Sequence, residues 1–117
     1  MRKKAENYLP LTHSSFYILL VLGEPLHGYG IMQRVEEMSN GEVKLGPGTL
    51  YGALSKLEKE GLIVKIDGQE NEQERRKSYI LTDLGKVVVT LEYKRLQSLV
   101  EKCESFINNL GTLSEKP

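Results

Sequence analysis

The feature that most constrains this chain is a long apolar repeat near its C-terminus. Seven positions, spaced alternately by four and three residues, form a continuous seam. The seam consists of Val89, Tyr93, Leu96, Val100, Cys103, Ile107 and Leu110. This spacing over about three heptads is typical of a helix that packs along a partner helix. The sequence therefore predicts a helix over 83–110, capped by Thr82 and Asp83, with the seam facing a second helix.

Length and hydropathy restrict the chain to one globular domain. Its 117 residues leave no room for a second full core. The longest apolar run, 16–22, has seven residues, whereas a helix needs roughly 20 to cross a bilayer. Because no small-residue cleavage site follows this run, we interpret it as a buried helix rather than a signal peptide. We therefore expect a cytoplasmic protein without a membrane partner.

Charge and cysteine content exclude several kinds of site. Sixteen basic and sixteen acidic residues give no net charge, which excludes a uniformly basic surface but not a local basic patch. The single cysteine, Cys103, excludes an internal disulfide framework and a cysteine-based zinc finger. We expect neither a metal site nor a cofactor. The sequence also shows no nucleophile with a suitable base and no paired carboxylates, so we expect no enzyme.

The order of the remaining elements predicts the fold. Apolar stripes predict helices over 12–22, 29–38 and 46–61, and alternating residues predict strands over 62–66 and 78–81. Helix, helix, turn, helix and hairpin is the order of a winged helix-turn-helix. We therefore predict a mostly α fold with a small β-hairpin, in which a winged helix-turn-helix precedes a long C-terminal dimerisation helix.

This prediction divides the chain into four parts. They are a flexible basic N-terminal arm (1–11), a winged helix-turn-helix DNA-binding domain (12–81), a C-terminal dimerisation helix (82–110) and a tail (111–117). The first part is polar, carries Arg2, Lys3 and Lys4, and ends near Pro10. We expect it to be a loose arm that can hold a short helix docking on a partner.

The helix predicted over 46–61 has the outer face that a DNA groove requires. Its apolar stripe would pack on the domain, and the opposite side is polar and slender. The candidate DNA-contacting residues on that side are Thr49, Tyr51, Ser55 and Lys56. The major groove is about 12 Å wide and admits one helix of this kind. An ordinary amphipathic surface helix has the same pattern and is the alternative.

Two further features are candidate phosphate contacts. Arg75, Arg76 and Lys77 lie at the base of the predicted hairpin, where cations can neutralise DNA phosphates. A solvated strand edge is the alternative, and the acidic loop 67–74 would have to swing away from DNA. Tyr29 begins a helix beside two glycines, and free N–H groups at a helix start can bind a phosphate oxygen. Packing of its ring in the core is the alternative for Tyr29.

Four runs of residues, in this order, resemble the PadR family of transcriptional regulators. They are 27–31 (HGYGI), 48–51 (GTLY), 57–63 (LEKEGLI) and 75–85 (RRKSYILTDLG). The resemblance covers about 12–110 and is closest to the small subfamily with a single C-terminal helix. It implies a homodimeric transcriptional repressor that binds double-stranded DNA. In the family, dimers form through that helix and often also through the N-terminal helix. It also implies release by a small aromatic or lipophilic effector.

The chain departs from the family where some small members bind flat drugs. Those members hold the drug between paired tryptophans of the C-terminal helices, and this chain has no tryptophan. Leu96 stands at the corresponding position, so the candidate effector pocket is lined by Val89, Tyr93 and Leu96. Such a pocket would suit an apolar ligand but offers no indole face. A packed interface without a pocket is the alternative.

Cys103 on the seam has two interpretations. An intersubunit disulfide would require a Cα separation below about 7 Å and an accessible thiolate. A small hydrophobic residue buried in the interface is the interpretation we favour.

Two functions of different classes follow from the sequence. The first is a sequence-specific DNA-binding transcriptional regulator, a repressor that binds a pseudo-palindromic operator as a dimer. The second is a winged-helix module for protein–protein interaction without specific DNA binding, which the zero net charge allows.

Overall fold

The computed structural model describes residues 1–66 and 77–111. Five helices and three short strands make up this part of the chain. In chain order they are α1 (Arg2–Glu6), α2 (His13–Val21), β1 (Leu26–His27), α3 (Gly28–Met38), α4 (Pro47–Lys59), β2 (Ile63–Ile66), β3 (Ser78–Leu81) and α5 (Asp83–Asn109). The predicted winged helix-turn-helix with a long C-terminal helix is confirmed. The loop 67–76 and the tail beyond 111 lie outside the described residues.

The helix boundaries follow the capping residues that the sequence contains. Thr12 accepts a hydrogen bond from the Ser15 N–H at 3.1 Å and starts α2. Asn40 and Gly41 both have a positive φ after α3, and Gly61 has one after α4. Thr82 accepts from the Gly85 N–H at 3.0 Å and donates to the Gly61 carbonyl at 2.6 Å. The start of α5 is thereby fixed against the turn that follows α4.

The sheet contains one strand more than the predicted hairpin. Its order is β1-β3-β2, with both pairs antiparallel. The additional strand, β1, places Leu26 opposite Tyr79 and His27 opposite Ser78. This strand lies between the helices predicted over 12–22 and 29–38. The hairpin of β2 and β3 is the wing of the fold. Because β1 pairs with β3, the start of α3 is held directly against the wing.

The core lies where α2, α3 and α4 meet the sheet and the first half of α5. Leu50, Leu54 and Leu57, at the predicted i, i+4, i+7 spacing, are all buried. The fully buried Ile18 and Leu19 belong to α2, which contains the apolar run interpreted as a buried helix. α4 is thus fixed along one side, and its other side is left for solvent or a ligand.

The N-terminal segment is more ordered than the predicted loose arm. α1 packs on α5 of the same chain, and the Ala5 side chain is fully buried. The Leu11 N–H donates to Oε2 of Glu92 at 2.9 Å. Glu92 is itself 1% exposed and accepts from Arg95 Nε at 2.5 Å. A buried carboxylate on α5 therefore anchors the segment that was expected to be a loose arm.

The second half of α5 extends beyond the core. Its 27 residues span about 40 Å at 1.5 Å per residue, and the described chain measures 61 × 36 × 20 Å overall. Leu84, Gly85, Val88 and Glu92 are the buried residues of this helix. From Leu99 onward every described residue of α5 is exposed.

Candidate nucleic-acid interface

The outer side of α4 carries the four residues predicted to contact DNA. Thr49, Tyr51, Ser55 and Lys56 are all exposed, opposite the buried leucines of the same helix. Gly52 lies among them, and a Cβ built there meets nothing within 4 Å. α4 therefore presents a narrow, polar, unobstructed surface, which is the shape required to enter a major groove.

Lys56 is the cation among these four residues. Its Nζ lies 3.9 Å from Oε2 of Glu60, and the Lys56 side chain is 73% exposed. An exposed i,i+4 pair at this distance is weak and is screened by salt. Lys56 is therefore able to exchange Glu60 for a phosphate oxygen without a large loss of stability.

A cleft of about 350 Å³ lies beside α4, where the start of α3 meets the wing. Its lining residues are His27, Gly28, Tyr29, Tyr51, Lys65, Lys77 and Tyr79. Two of them, Lys65 on β2 and Tyr79 on β3, stand opposite each other in the strand register. The cleft thus brings two lysines and three tyrosines together from four separate segments of the chain. Cations and phenol hydroxyls are groups that bind DNA phosphates.

Gly28 allows the Tyr51 ring to lie in this cleft. A Cβ built on Gly28 would lie 2.1 Å from the Tyr51 hydroxyl oxygen, so any larger residue would displace the ring. The His27 side chain caps α3, since its Nδ1 accepts from the Gly30 N–H at 3.4 Å. Gly28 therefore permits the start of α3 to pack closely against the Tyr51 side chain of α4.

Tyr29 does not pack in the core, which was the alternative for its ring. It is 58% exposed, and its hydroxyl oxygen accepts a hydrogen bond from Gln33 Nε2 at 3.5 Å. Its position at the first turn of α3, in the cleft wall, is compatible with a phosphate contact. That contact stays a prediction.

Tyr79 and Lys65 are cleft residues that the sequence did not reveal as site residues. Burial raises the pKa of the Tyr79 phenol, and the Glu58 carboxylate and Tyr51 raise it further. Tyr79 is therefore a phenol rather than a phenolate near neutral pH, and it can donate a hydrogen bond. Both residues were recognised only as members of strands, because their pairing depends on the register of the wing.

The wing cations are only partly described. Lys77 is exposed and lines the cleft beside β3. Arg75 and Arg76, the other two predicted phosphate contacts, lie outside the described residues, as does the acidic loop 67–74. Their roles stay predictions.

The predicted dimer seam lies on the uncovered part of α5. Val89 and Leu96 are half-buried, while the other five members, Tyr93, Val100, Cys103, Ile107 and Leu110, are exposed. Leu99 and Phe106, which the seam did not include, are also 49% and 73% exposed. Isolated apolar side chains on a surface are common, but a contiguous patch of this kind marks an interaction surface. The candidate effector-pocket residues Val89, Tyr93 and Leu96 lie at the near end of this patch.

Residues 1–66 and 77–111 contain no group of three or more histidine, cysteine or acidic side chains placed to hold a metal ion. Among the helices described, none is both long enough and apolar enough to span a membrane.

Comparison with known proteins identifies the family. Residues 18–91 match the transcriptional regulator PadR-like family. A crystal structure of a PadR family transcription regulator from Clostridium difficile is 25% identical and superposes with a TM-score of 0.68, covering 80% of this chain and 96% of that one. RosR from H. salinarum is 26% identical, with a TM-score of 0.66 and coverage of 87% and 94%.

A relative with higher identity matches over a shorter length. An uncharacterized 37.1 kDa protein of transposon TN4556 from Streptomyces fradiae is 38% identical over 68 residues, which are 58% of this chain and 18% of that protein. This chain therefore spans about a fifth of that relative's own length. Because the family match covers more than half of the chain and agrees with the fold, the chain belongs to the PadR-like family of transcriptional regulators.

Proposed function

We propose that this chain is a repressor that binds a pseudo-palindromic DNA operator as a homodimer, with α4 in the major groove. The observation that carries the proposal is the division of α4 into two sides. Its three leucines are buried, whereas Thr49, Tyr51 and Ser55 project from a side that Gly52 keeps narrow. A helix of this form can bring its polar side chains to the base edges without a clash of its backbone with the groove walls.

The neighbouring cleft supports separate sets of residues for base contacts and phosphate contacts. Thr49, Tyr51 and Ser55 lie on the side of α4 that would face the bases. The phosphate contacts would come from Tyr29, Lys56 and the wing cations Arg75, Arg76 and Lys77. Lys65 and Tyr79, which line the same cleft, are added to this set. Phosphate contacts fix the register of the protein on DNA, and base contacts provide sequence preference.

A dimer accounts for the exposed apolar side of α5. The seam and the adjacent Leu99 and Phe106 are uncovered in one chain, and a second copy presents the same surface. A two-fold axis through paired α5 helices would generate two copies of α4. Successive major grooves on one side of DNA are about 34–36 Å apart, and this spacing is what the dimer would have to match.

Release by an effector is the regulatory part of the proposal. A small lipophilic or aromatic molecule between the α5 helices, against Val89, Tyr93 and Leu96, would favour a dimer with a different separation of its α4 helices. Effector and DNA would then weaken each other's binding by the same coupling free energy.

The alternative function is a protein–protein interaction module. Zero net charge is the observation in its favour, since DNA-binding domains commonly carry a basic surface. This alternative predicts no measurable DNA affinity near physiological salt, whereas the repressor proposal predicts specific binding.

Substitutions on α4 and the wing separate the two roles assigned to the DNA surface. An operator would first be isolated by selection from genomic fragments, and affinities for it and for a shuffled duplex would then be compared. We expect Tyr51→Ala to lose most of the preference for the operator, because Tyr51 is assigned to base reading. We expect Arg75→Ala and Arg76→Ala to weaken both duplexes alike and to lower the salt slope by about one each.

Lys102→Ala is the matched control, since Lys102 is an exposed lysine on the far half of α5. It should change neither affinity. Equal losses on both duplexes for Tyr51→Ala would contradict the base-reading role of α4.

A further inference from the structure

A second cleft, of about 310 Å³, lies between the N-terminal helix and the last helix. It is lined by Arg2, Lys86, Val87, Thr90, Leu91 and Lys94. Three of these six residues are cations, and none is acidic. Val87 and Leu91, both half-buried, form an apolar floor between them. The cleft is thus locally positive, although the chain as a whole has no net charge.

The cations of this cleft are available to a ligand. Among the described residues, neither Lys86 nor Lys94 takes part in an ion pair. Arg2 Nε lies 3.4 Å from Oε2 of Glu6, but both side chains are more than half exposed, and such pairs are weak. The Thr90 hydroxyl donates to the Lys86 carbonyl at 2.8 Å, so the positive charges and not this hydroxyl would receive an anion.

The cleft is separate from the other two surfaces described above. None of its lining residues belongs to the DNA-contact set or to the seam. At 3.6 residues per turn, Val87, Leu91 and Lys94 lie on the side of α5 away from the seam, whereas Lys86, seven residues before Tyr93, lies at the N-terminal end of the seam. A partner helix packed on the seam would therefore leave Val87, Leu91 and Lys94 uncovered.

We infer that this cleft is a binding site for a small organic anion that has an apolar body, such as a carboxylate or a phosphate monoester. The anionic group would lie among Arg2, Lys86 and Lys94, and the apolar body would lie on Val87 and Leu91. The volume is at the lower end of the range of ligand pockets, about 300–1,000 Å³, which restricts the ligand to a small molecule. Such a ligand would contact α1 and α5 at once and would hold them together.

Amide NMR titrations of the whole protein test this site. The probes are sodium octanoate and phenyl phosphate, which separate the carboxylate from the phosphate, with inorganic phosphate and benzyl alcohol as charge-only and apolar-only controls. At least one of the two amphipathic anions should cause saturable shifts centred on Val87, Thr90 and Leu91. Each control should bind at least tenfold more weakly than that anion, because it lacks one of the two recognised features.

The double variant Lys86→Gln/Lys94→Gln should weaken binding of that anion at least tenfold, and Lys102→Gln should leave it unchanged. The absence of saturable shifts with both anions would overturn the inference. So would shifts centred on Tyr93 and Leu96, or equal binding by the double variant. Shifts of the same cleft amides on addition of an operator duplex would assign the cleft to DNA and would also overturn it.

Discussion

Replacing Glu92 by alanine removes the carboxylate that anchors the N-terminal segment to α5. Glu92 is 1% exposed and accepts from the Leu11 N–H at 2.9 Å and from Arg95 at 2.5 and 3.2 Å. Without it, the part-buried Leu11 N–H has no acceptor, and leaving such a group unpaired costs about 1–3 kcal/mol. Arg95 is 40% exposed and can be solvated by water, so its loss of a partner adds little. We expect Glu92→Ala to lower the free energy of unfolding by about 2 kcal/mol.

Urea unfolding followed by circular dichroism measures this change. Protein concentration must be the same for all variants, because dimerisation would contribute to the apparent stability. Glu101→Ala is the matched control, since Glu101 is an exposed glutamate on the same helix and no ion pair involves it among the described residues. We expect the control to change the free energy of unfolding by no more than about 0.5 kcal/mol. A Glu92→Ala result as small as that of the control would refute the anchoring role.

Three other perturbations follow from the same structure. The hydrogen bond from Arg95 lowers the pKa of Glu92 below its ordinary value of 4.5. The stabilisation of the fold by the ionised Glu92 is therefore present above about pH 4.5 and is lost as pH falls through the folded pKa. Glu92→Gln should accordingly flatten the fall in unfolding free energy below that pH. Gly28→Ala should weaken operator binding about tenfold, a change worth about 1.4 kcal/mol, because the new Cβ would displace the Tyr51 side chain. We expect little effect on the melting temperature. Unchanged operator affinity would contradict this packing. Gly85→Ala should lower the unfolding free energy by about 1–3 kcal/mol, because its Cβ would lie 2.1 Å from the Leu62 carbonyl oxygen, and a wild-type urea midpoint would argue against it.

The helices were predictable because the information that determines them is local. The leucine stripe of α4 and the cap at Thr82 each act within a few residues. The strands of the wing were predictable from alternation for the same reason. The spacing of the α4 residues also determines which of them are buried and which are exposed. The exposed side chains proposed to contact DNA could therefore be selected before the structure was known.

The features that the sequence did not reveal all depend on contacts between distant segments. β1 consists of only two residues and exists because Leu26 pairs with Tyr79. Glu92 on α5 is buried and accepts a hydrogen bond from the N–H of Leu11, 81 positions away. Lys65 joins the cleft only because the register of the wing places it opposite Tyr79. Contacts between distant segments leave no periodic pattern in the sequence, so they could not be predicted from it.

The most direct test of the central claim is a fluorescence-anisotropy titration of two duplexes at two salt concentrations. One duplex spans the promoter of the protein's own gene, because the resemblance to the PadR family suggests autoregulation, and the other is a shuffled sequence of equal composition. We predict tight, saturable binding to the promoter alone, with an affinity that falls as salt rises because α4 and the wing release counterions from phosphates. Weak and equal binding to both duplexes, followed by failure of a genomic fragment selection to yield any bound sequence, would contradict the account and favour a protein partner.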